Sequence, residues 1–521
     1  MITALKARVL GAFGFNPLAL EKARVRMNRR VDEYLSEIPF APTSGPDTLV
    51  VVAPWEGTYT PWYTLAVALL MAGEGARVRF VLDDVPDGGS MLRHRLTIRA
   101  LRSVLHRLSG RFEVLQLSEF PPSQLREEDR QEIKRLAGLN ATWALRGEMP
   151  QEGRQYLIDR NITQTSLALG HIITLFREIE TPEMLFTPGG VFGASGLWMA
   201  QARERGIRVA SFDTGGYETA MLAANGMACQ LDDVPIAYRI LQQSWRNDTE
   251  DRAFALARAD EEIAKRRDGS DAFSSQVSGA KGGGGELEGG VLVALNSSWD
   301  AAALGPHCAY PDNTTWIVET VRTLLEKTDR PVIVRQHPAE RLAIAATSEN
   351  YRLMLSREFG ENERLYFIAA EDPINSYDLL EKVRAVVVHT STIGIEAAAF
   401  GRPVVTGSNA YYSDLGFVER STTRSAYEDL LLQAATGAKS VTLPMREDAK
   451  LCFYITQCRN WVFSKFNPGD FPQWIDRPLS HWQKQPTVAR MIESLITGIP
   501  VAVLNHRAAN ERENSRRAES R

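Results

Sequence analysis

Short apolar runs recur along the chain, each breaking at a turn of small or hydroxylated residues and followed by an apolar helical stretch. The clearest case lies between Ala385 and Phe417. There Ala385–Val388 breaks at His389-Thr390-Ser391-Thr392-Ile393-Gly394, a helical stretch covers Ile395–Phe400, and Gly401-Arg402-Pro403 leads back to Val404-Val405. A strand buried on both faces of a parallel sheet needs such an unbroken apolar run, and a crossover helix must join it to its neighbour. The pattern therefore predicts strand, turn, helix, strand. Backbone N–H groups left free at the helix entrance, with the helix dipole behind them, suit a phosphate or carboxylate. The turn is a candidate anion seat.

The same pattern is legible elsewhere. Thr48–Pro54 predicts a strand, followed by Trp55 to Pro61, an apolar helix over Trp62–Ala72 and a second strand at Ala76–Leu82 ending on Asp83-Asp84. Glu183–Pro188 runs into the turn Gly189–Gly196 and a helix through Arg205, and Ile207–Phe212 is the next strand, ending at Asp213. Ligands of open α/β sheets sit beyond the carboxyl ends of the strands. That rule places Glu56, Gly57, Thr58, Asp83, Gly189, Gly190 and Asp213 on a common rim. Met91–Ile179 is mostly helical and charged, as is Ile236–Arg267, and Asp268–Gly290 is a Gly/Ser-rich connection. Beyond it, strands at Val291–Leu295, Pro331–Val334, Leu365–Ile368, Ala385–Val388 and Val404-Val405 alternate with helices at Thr315–Lys327 and Ser376–Lys382.

The predicted class is α/β with two Rossmann-like domains. Residues 1–235 form the first and 291–445 the second, with 236–290 as helix and connection. Aromatic-rich helices fill 446–506, and 507–521, polar and aperiodic, predicts a disordered tail.

A length of 521 residues fits two domains or more. Sixty Lys plus Arg against 64 Asp plus Glu give a net charge of −4, which excludes a general pull toward nucleic acid. Cys229, Cys308, Cys452 and Cys458 have no C-x-x-C spacing, so neither a disulfide scaffold nor a structural zinc site is expected. The start of the chain does not read as a signal peptide and no apolar run matches a membrane span, so a cytoplasmic location is expected. Near the N-terminus, Lys6, Arg8, Lys22, Arg24, Arg26, Arg29 and Arg30 face one acid, Glu21, with Leu5, Val9, Leu10, Phe13 and Phe15 among them. Such a segment can rest on the anionic inner face of a membrane. A terminal helix packed on its own domain is the preferred reading.

The motifs RQHPAE (Arg335–Glu340), NSYDLL (Asn375–Leu380) and HTSTIGIEAAAFGRPVV, followed by Tyr411, Tyr412, Gly416 and Phe417, resemble the bacterial capsular-polysaccharide biosynthesis glycosyltransferases, which are related in layout to Kdo-transferases. The resemblance covers Val291 to about Phe417 well, with looser echoes at Leu49–Asp84 and Leu185–Gly216. It implies the GT-B architecture, two Rossmann-like domains facing across a cleft. It further implies a nucleotide-sugar donor, often CMP-activated, as substrate, with no cofactor and no metal. Carried over by position, His337 would touch the donor phosphate, Ser391 and Thr392 would bind it, and Glu396 would meet ribose hydroxyls. Arg335, Pro338, Glu340 and Gly394 complete the expected donor site. Imidazole, guanidinium and a helix N-terminus together can stabilise charge developing on a leaving phosphate without metal.

Each residue also has a plainer role. A His-Pro pair is common in loops, Ser391-Thr392 can cap a helix, and Glu396 and Arg335 can form ion pairs. Placement directly after strands of one domain favours the site reading. His337 is the catalytic candidate on the donor side. On the acceptor side, Glu56 and Asp213 are the candidate bases, with Gly57, Thr58, Gly189 and Gly190 on the rim. Asp83, Asp84, Asp300 and Glu340 are weaker candidates, equally suited to caps or salt bridges. The expected function is transfer of a sugar to a surface polysaccharide or lipid-linked acceptor. A nucleotide-sugar 2-epimerase and a non-catalytic nucleotide- or glycan-binding scaffold are the alternatives.

Overall fold

The computed structural model describes residues 16–37, 44–85, 91–191, 193–216, 218–270 and 287–519. Leu5, Val9, Leu10, Phe13, Phe15 and most of the Gly/Ser-rich connection lie outside them. The chain divides into two compact units, the first made of 1–141, 152–233 and 460–521, the second of 142–151 and 234–459.

In the first unit β1 (Asp47–Val52), β2 (Arg77–Leu82), β3 (Glu113–Gln116), β4 (Met184–Pro188) and β5 (Arg208–Thr214) are parallel. Two antiparallel strands, β6 (Thr219–Ala223) and β13 (Val462–Phe463), extend the sheet, whose order is β13-β6-β5-β4-β1-β2-β3. Because side chains alternate across a strand, both faces must be covered. Val50 and Val52 pack into one core with the helix Thr60–Gly73, while Leu49 and Val51 pack into another with the helices Glu127–Leu145, Arg154–Glu178 and Gly193–Glu204.

Of the stretch read as C-terminal helices, residues from Asn460 on belong to this unit and 446–459 to the second. Phe466, Trp474 and Trp482 are in the first of those cores, and the Tyr63 ring lies 5.0 Å from Phe466 and 6.2 Å from Trp474. One helix spans Val501–Glu519, over most of the stretch read from the sequence as a disordered tail. Ala, Arg and Glu make up more than half of it, and these lose little entropy in a helix.

The helix Pro17–Glu37 takes the plainer of its two expected roles along one face, burying Met27, Val31 and Tyr34 in the unit's core. The short strands β3 and β13 carry no apolar run long enough to announce them, whereas β6 lies on one, Ala220–Ala224, that the sequence reading passed over.

The second unit's sheet is parallel throughout: β7 (Val291–Ala294), β8 (Val332–Arg335), β9 (Leu365–Ile368), β10 (Ala385–Val388), β11 (Val404–Thr406) and β12 (Glu419–Arg420) in the order β12-β11-β10-β7-β8-β9. Val291, Val293, Val387 and Val405 bury one face against the helices Asn313–Lys327 and Arg424–Thr436. Both sheets carry the doubly wound Rossmann-like order expected from the sequence. In each, strand order reverses beside the first strand, between β1 and β4 and between β7 and β10. Ligands of this architecture bind at such reversals.

Candidate functional site

The reversal in the second unit holds a pocket. β7 contributes Leu292, Ala294 and Leu295, the end of β8 contributes Arg335, Gln336, His337 and Pro338, and the turn after β10 contributes Ser391, Thr392 and Ile393, with Glu396 one turn further on. Ser376 and Tyr377, at the start of the helix Ser376–Lys382, and Arg266, near the end of the helix Thr249–Asp268, close it. The cavity measures ≈ 80 Å³. Pockets that enclose a whole drug-sized ligand run to roughly 300–1,000 Å³. A phosphate-sized group fits in this enclosed part.

The chemistry of the lining is that of an anion site. Arg335 is buried, and its guanidinium donates to the carbonyls of Ala369 and, at 3.1 Å, Ile374. These bonds fix the fork in place, and burial lowers its pKa to about 10, still cationic at neutral pH. His337 is partly buried, and its Nδ1 accepts from the Ala339 N–H at 3.2 Å in the 3₁₀ turn that Pro338 begins. With Nδ1 an acceptor, the proton of the neutral ring sits on Nε2, which is then a donor. Desolvation, reinforced by Arg266 and Arg335, pushes the imidazole down to about 4. The site therefore holds a neutral N–H donor at His337. Charge comes from Arg335 and Arg266, the latter 3.3 Å from the buried Glu396 carboxylate.

Ser391 and Thr392 line this pocket together with His337. The helix they precede, Ile393–Ala399, starts earlier than the apolar pattern suggested. Gly394 is behind them and not in the lining. A Cβ there would meet the Tyr412 hydroxyl at 2.7 Å and Val388 Cγ2 at 3.0 Å, and that hydroxyl donates to the Ser391 carbonyl at 2.6 Å. The glycine makes room for the tyrosine that pins the turn.

Glu340 is also outside the lining. Its carboxylate is buried, accepts from Gln336 Nε2 at 2.8 Å and Ser297 Oγ at 3.3 Å, and burial, with the Glu349 carboxylate nearby, pushes it up to about 7.

In the first unit, Gly57 and Thr58 follow β1 and Gly189 and Gly190 follow β4, the two strands flanking its reversal. Both Gly189 (φ 68°) and Gly190 (φ 135°) have backbone angles that favour glycine, and a Cβ on Gly189 would meet the Trp55 ring at 2.8 Å. Glu56 is partly buried in the same turn, and Asp213 lies within β5, its carboxylate accepting from the Thr214 N–H at 2.7 Å. Asp83 and Asp84 have structural duties. Asp83 accepts from Trp198 Nε1 at 3.1 Å, and Asp84 pairs with Arg102 at 2.6 Å and takes two bonds from Ser118. Asp300 accepts from the Ala302 N–H within its own turn. Among the described residues no group of three or more His, Cys, Asp or Glu is placed to hold a metal ion.

Sequence reasoning did not single out Arg266, Ser376 or Tyr377. Ser376 and Tyr377 lie inside the NSYDLL motif, so a signal existed. Arg266 sits in KRRD, where nothing local tells which arginine turns inward.

Residues 288–433 match the family model described as Capsule polysaccharide biosynthesis protein, over the stretch where the motifs resemble that family. No curated protein matches the chain. Among solved structures, the beta Kdo 2,4 transferase KpsC of Thermosulfurimonas dismutans shares 13% identity over 51% of this chain and 86% of its own, with a TM-score of 0.32. The beta Kdo 2,7 transferase of the same organism shares 13% over 54% and 79%, at 0.30. A putative UDP-N-acetylglucosamine 2-epimerase from Listeria monocytogenes shares 12% over 79% and 91%, at 0.25.

Proposed function

Because its second unit carries the segment that marks the capsule polysaccharide biosynthesis family, we propose that the protein is a glycosyltransferase that moves a sugar from a nucleotide-sugar, a CMP-activated one foremost, to a surface-polysaccharide or lipid-linked acceptor. The observation that carries this reading is the pocket at the strand-order reversal, where His337, Arg335, Ser391 and Thr392 meet in a space suited to a phosphate. In this reading the Nε2–H of His337 and the Ser391 and Thr392 hydroxyls donate to the donor's phosphate. Arg335 and Arg266 offset the charge that builds on the leaving group, and burial of Arg335 and Ser391 makes such donors count for more than in water. As the phosphate gains charge, the imidazole's proton affinity rises. His337 keeps its Nε2 proton, and the hydrogen bond it donates to the phosphate strengthens as the glycosidic bond breaks. Glu56 and Asp213 are the proposed bases that take the proton of the acceptor hydroxyl.

A membrane-bound acceptor is supported by surface chemistry. The helix Met91–Leu108 contains five arginines and no acid, and Arg95, Arg99, Arg102 and His106 line its exposed side at helical spacing. Leu92 is exposed on it, and Leu18 and Val25 are exposed on the helix Pro17–Glu37 that packs beside it through Arg24 and Asn28 to Ser103. Basic side chains around exposed aliphatics suit an anionic headgroup layer. No helix among the described residues is long and apolar enough to cross a membrane.

The test is a thermal-shift and calorimetric screen against CMP, CDP, UDP and GDP, followed by transfer assays with the corresponding nucleotide-sugars. His337→Ala and Ser391→Ala are expected to weaken nucleotide binding, and Glu56→Ala or Asp213→Ala to spare binding and remove transfer. Unchanged affinity in His337→Ala would overturn the donor-site assignment. Turnover of a nucleotide-sugar with no acceptor present would favour the 2-epimerase. Binding without any reaction would favour the scaffold.

A further inference from the structure

Residues 142–151 belong to the second unit although the chain on either side of them belongs to the first. At Arg146 the backbone is left-handed (φ 56°), a strained choice for a residue with a side chain. The surroundings hold it there. Its carbonyl accepts from the Ser348 N–H at 2.8 Å and the Thr347 hydroxyl at 2.9 Å, and its guanidinium donates to the Ile344 carbonyl at 2.6 Å and lies 4.6 Å from the centre of the Trp299 ring. Gly147 follows, where a Cβ would meet Ser348 Oγ at 2.6 Å and Glu349 Cγ at 2.9 Å. The Glu349 carboxylate then takes the N–H groups of Glu148 and Met149 at 2.6 and 3.2 Å. So many bonds on a short segment fix one side chain with care, that of Glu148.

One Glu148 oxygen accepts from the N–H groups of Asn313 and Thr314, at 2.9 and 3.3 Å, at the start of the helix Asn313–Lys327. The other lies 3.4 Å from His307 Nε2. Nδ1 of His307 is 2.9 Å from Nε2 of the fully buried His389. His389 opens the turn that carries Ser391 and Thr392, and its own carbonyl accepts from the hydroxyls of Thr406, at 2.9 Å, and Ser408. His307 Nε2 faces the Glu148 carboxylate, and its Nδ1 and His389 Nε2 share one bridging proton. Burial holds His389 neutral. Glu148 thus reaches His389 through His307.

We propose that Glu148 and His307 are positioning residues for the turn 389–392, holding it in the shape in which Ser391 and Thr392 face the pocket. The segment 142–151 is then a working part of the nucleotide site, although no residue of it lines the pocket. This rests on the reading of that pocket as a nucleotide-phosphate site. It predicts that the turn loosens when the line is cut at either residue, and that a side chain able both to donate and to accept restores it.

The experiment uses the full chain with Glu148→Ala, His307→Leu and His307→Gln. Hydrogen exchange is followed on peptides spanning 385–400, and CMP and UDP affinity is measured in parallel. In Glu148→Ala and His307→Leu the amides of the turn should exchange at least about tenfold faster while peptides from β7 and β8 keep their protection, and nucleotide affinity should fall by about the same factor. His307→Gln, whose amide can bridge a carboxylate and an imidazole N–H, should return both readouts to within about threefold of the parent. Unaltered exchange in the turn with His307→Leu overturns the proposal whatever the nucleotides do. So does loosening that His307→Gln fails to reverse, because simple loss of packing explains it. Parent protein that binds neither nucleotide, yet shows the loosening and its reversal, keeps the positioning role and removes the nucleotide reading instead.

Discussion

Replacing Gly394 by alanine tests how the turn is held from its other side. The new Cβ would sit 2.7 Å from the Tyr412 hydroxyl and 3.0 Å from Val388 Cγ2, both in fully buried side chains. Neither neighbour can swing into solvent, so the clash is relieved by moving the tyrosine, and with it the 2.6 Å bond to the Ser391 carbonyl. Overpacking of this kind costs about 1–3 kcal/mol, and the lost hydrogen bond about 1 kcal/mol more. The bond's share is small because the same carbonyl keeps the Gly394 N–H at 3.1 Å. The expected total is about 2–4 kcal/mol, a fall of roughly 4–16 °C in the melting of a unit of this size at about 2–4 °C per kcal/mol. Tyr412→Phe alone should cost about 1 kcal/mol, since it removes the bond and leaves the ring stacked on Phe417. In the double variant the offending oxygen is gone, so the two costs should add to less than their sum, by at least about 1 kcal/mol. Calorimetric melting of the four proteins gives the cycle directly. Strict additivity would refute the account, because it would mean that the alanine methyl and the tyrosine hydroxyl never compete for space.

Three further outcomes follow from the same geometry. His337 is depressed from its ordinary 6.5 to about 4 in the free protein, so the unfolded chain takes up the proton first and His337's share of stability is lost as pH falls from about 6.5 to about 4. A bound phosphate favours the cation, so the CMP affinity of the parent should rise relative to that of His337→Gln as pH falls from 8 to 5. The ligand's own titration cancels in the ratio, and a flat ratio by calorimetry refutes the contact. Glu340 is shifted the opposite way, from 4.5 to about 7, so its share of stability is full below about 4.5 and lost as pH rises through 7. Glu340→Gln should therefore flatten the fall in denaturation midpoint between pH 6 and 9, leaving the variant more stable than the parent at pH 9 by up to about 3 kcal/mol. A midpoint difference that does not change with pH argues against a buried proton there. Arg95→Glu with Arg99→Glu should weaken sedimentation with phosphatidylglycerol vesicles at least about tenfold at low salt, at about 1 kcal/mol for each cation removed. Equal partitioning of parent and variant excludes this face as the membrane contact.

The sheets were legible because their strands announce themselves locally. β1, β7, β10 and β11 are unbroken apolar runs ending at turns, and the periodicity of the helices between them fixes parallel order without any long-range information. His337, Ser391 and Thr392 were legible for the same reason: each follows such a run, and the carboxyl-end rule turns a position in sequence into a position at the pocket. β3, Glu-Val-Leu-Gln, and the two-residue β12 and β13 have no such signature, since an edge strand borrows its order from the neighbour it pairs with. The aromatic stretch after Asn460 was legible as buried but not as belonging to the first sheet, because a tryptophan's need for cover does not name what covers it.

Glu340 and Gly394 show the converse limit. Both stand within recognisable motifs, and both act one layer behind the pocket, Glu340 by bonding Gln336 and Ser297 and Gly394 by admitting Tyr412. Arg266 and Glu148 complete the picture, because they reach the pocket or its turn from 71 and 189 positions before His337, on segments whose local patterns are those of ordinary charged helix and loop. Charge without periodicity carries no address. The anion seat could thus be placed from its own strand and turn, whereas the groups that set its charge and hold its shape come from chain far away and become visible only once the fold has brought them together.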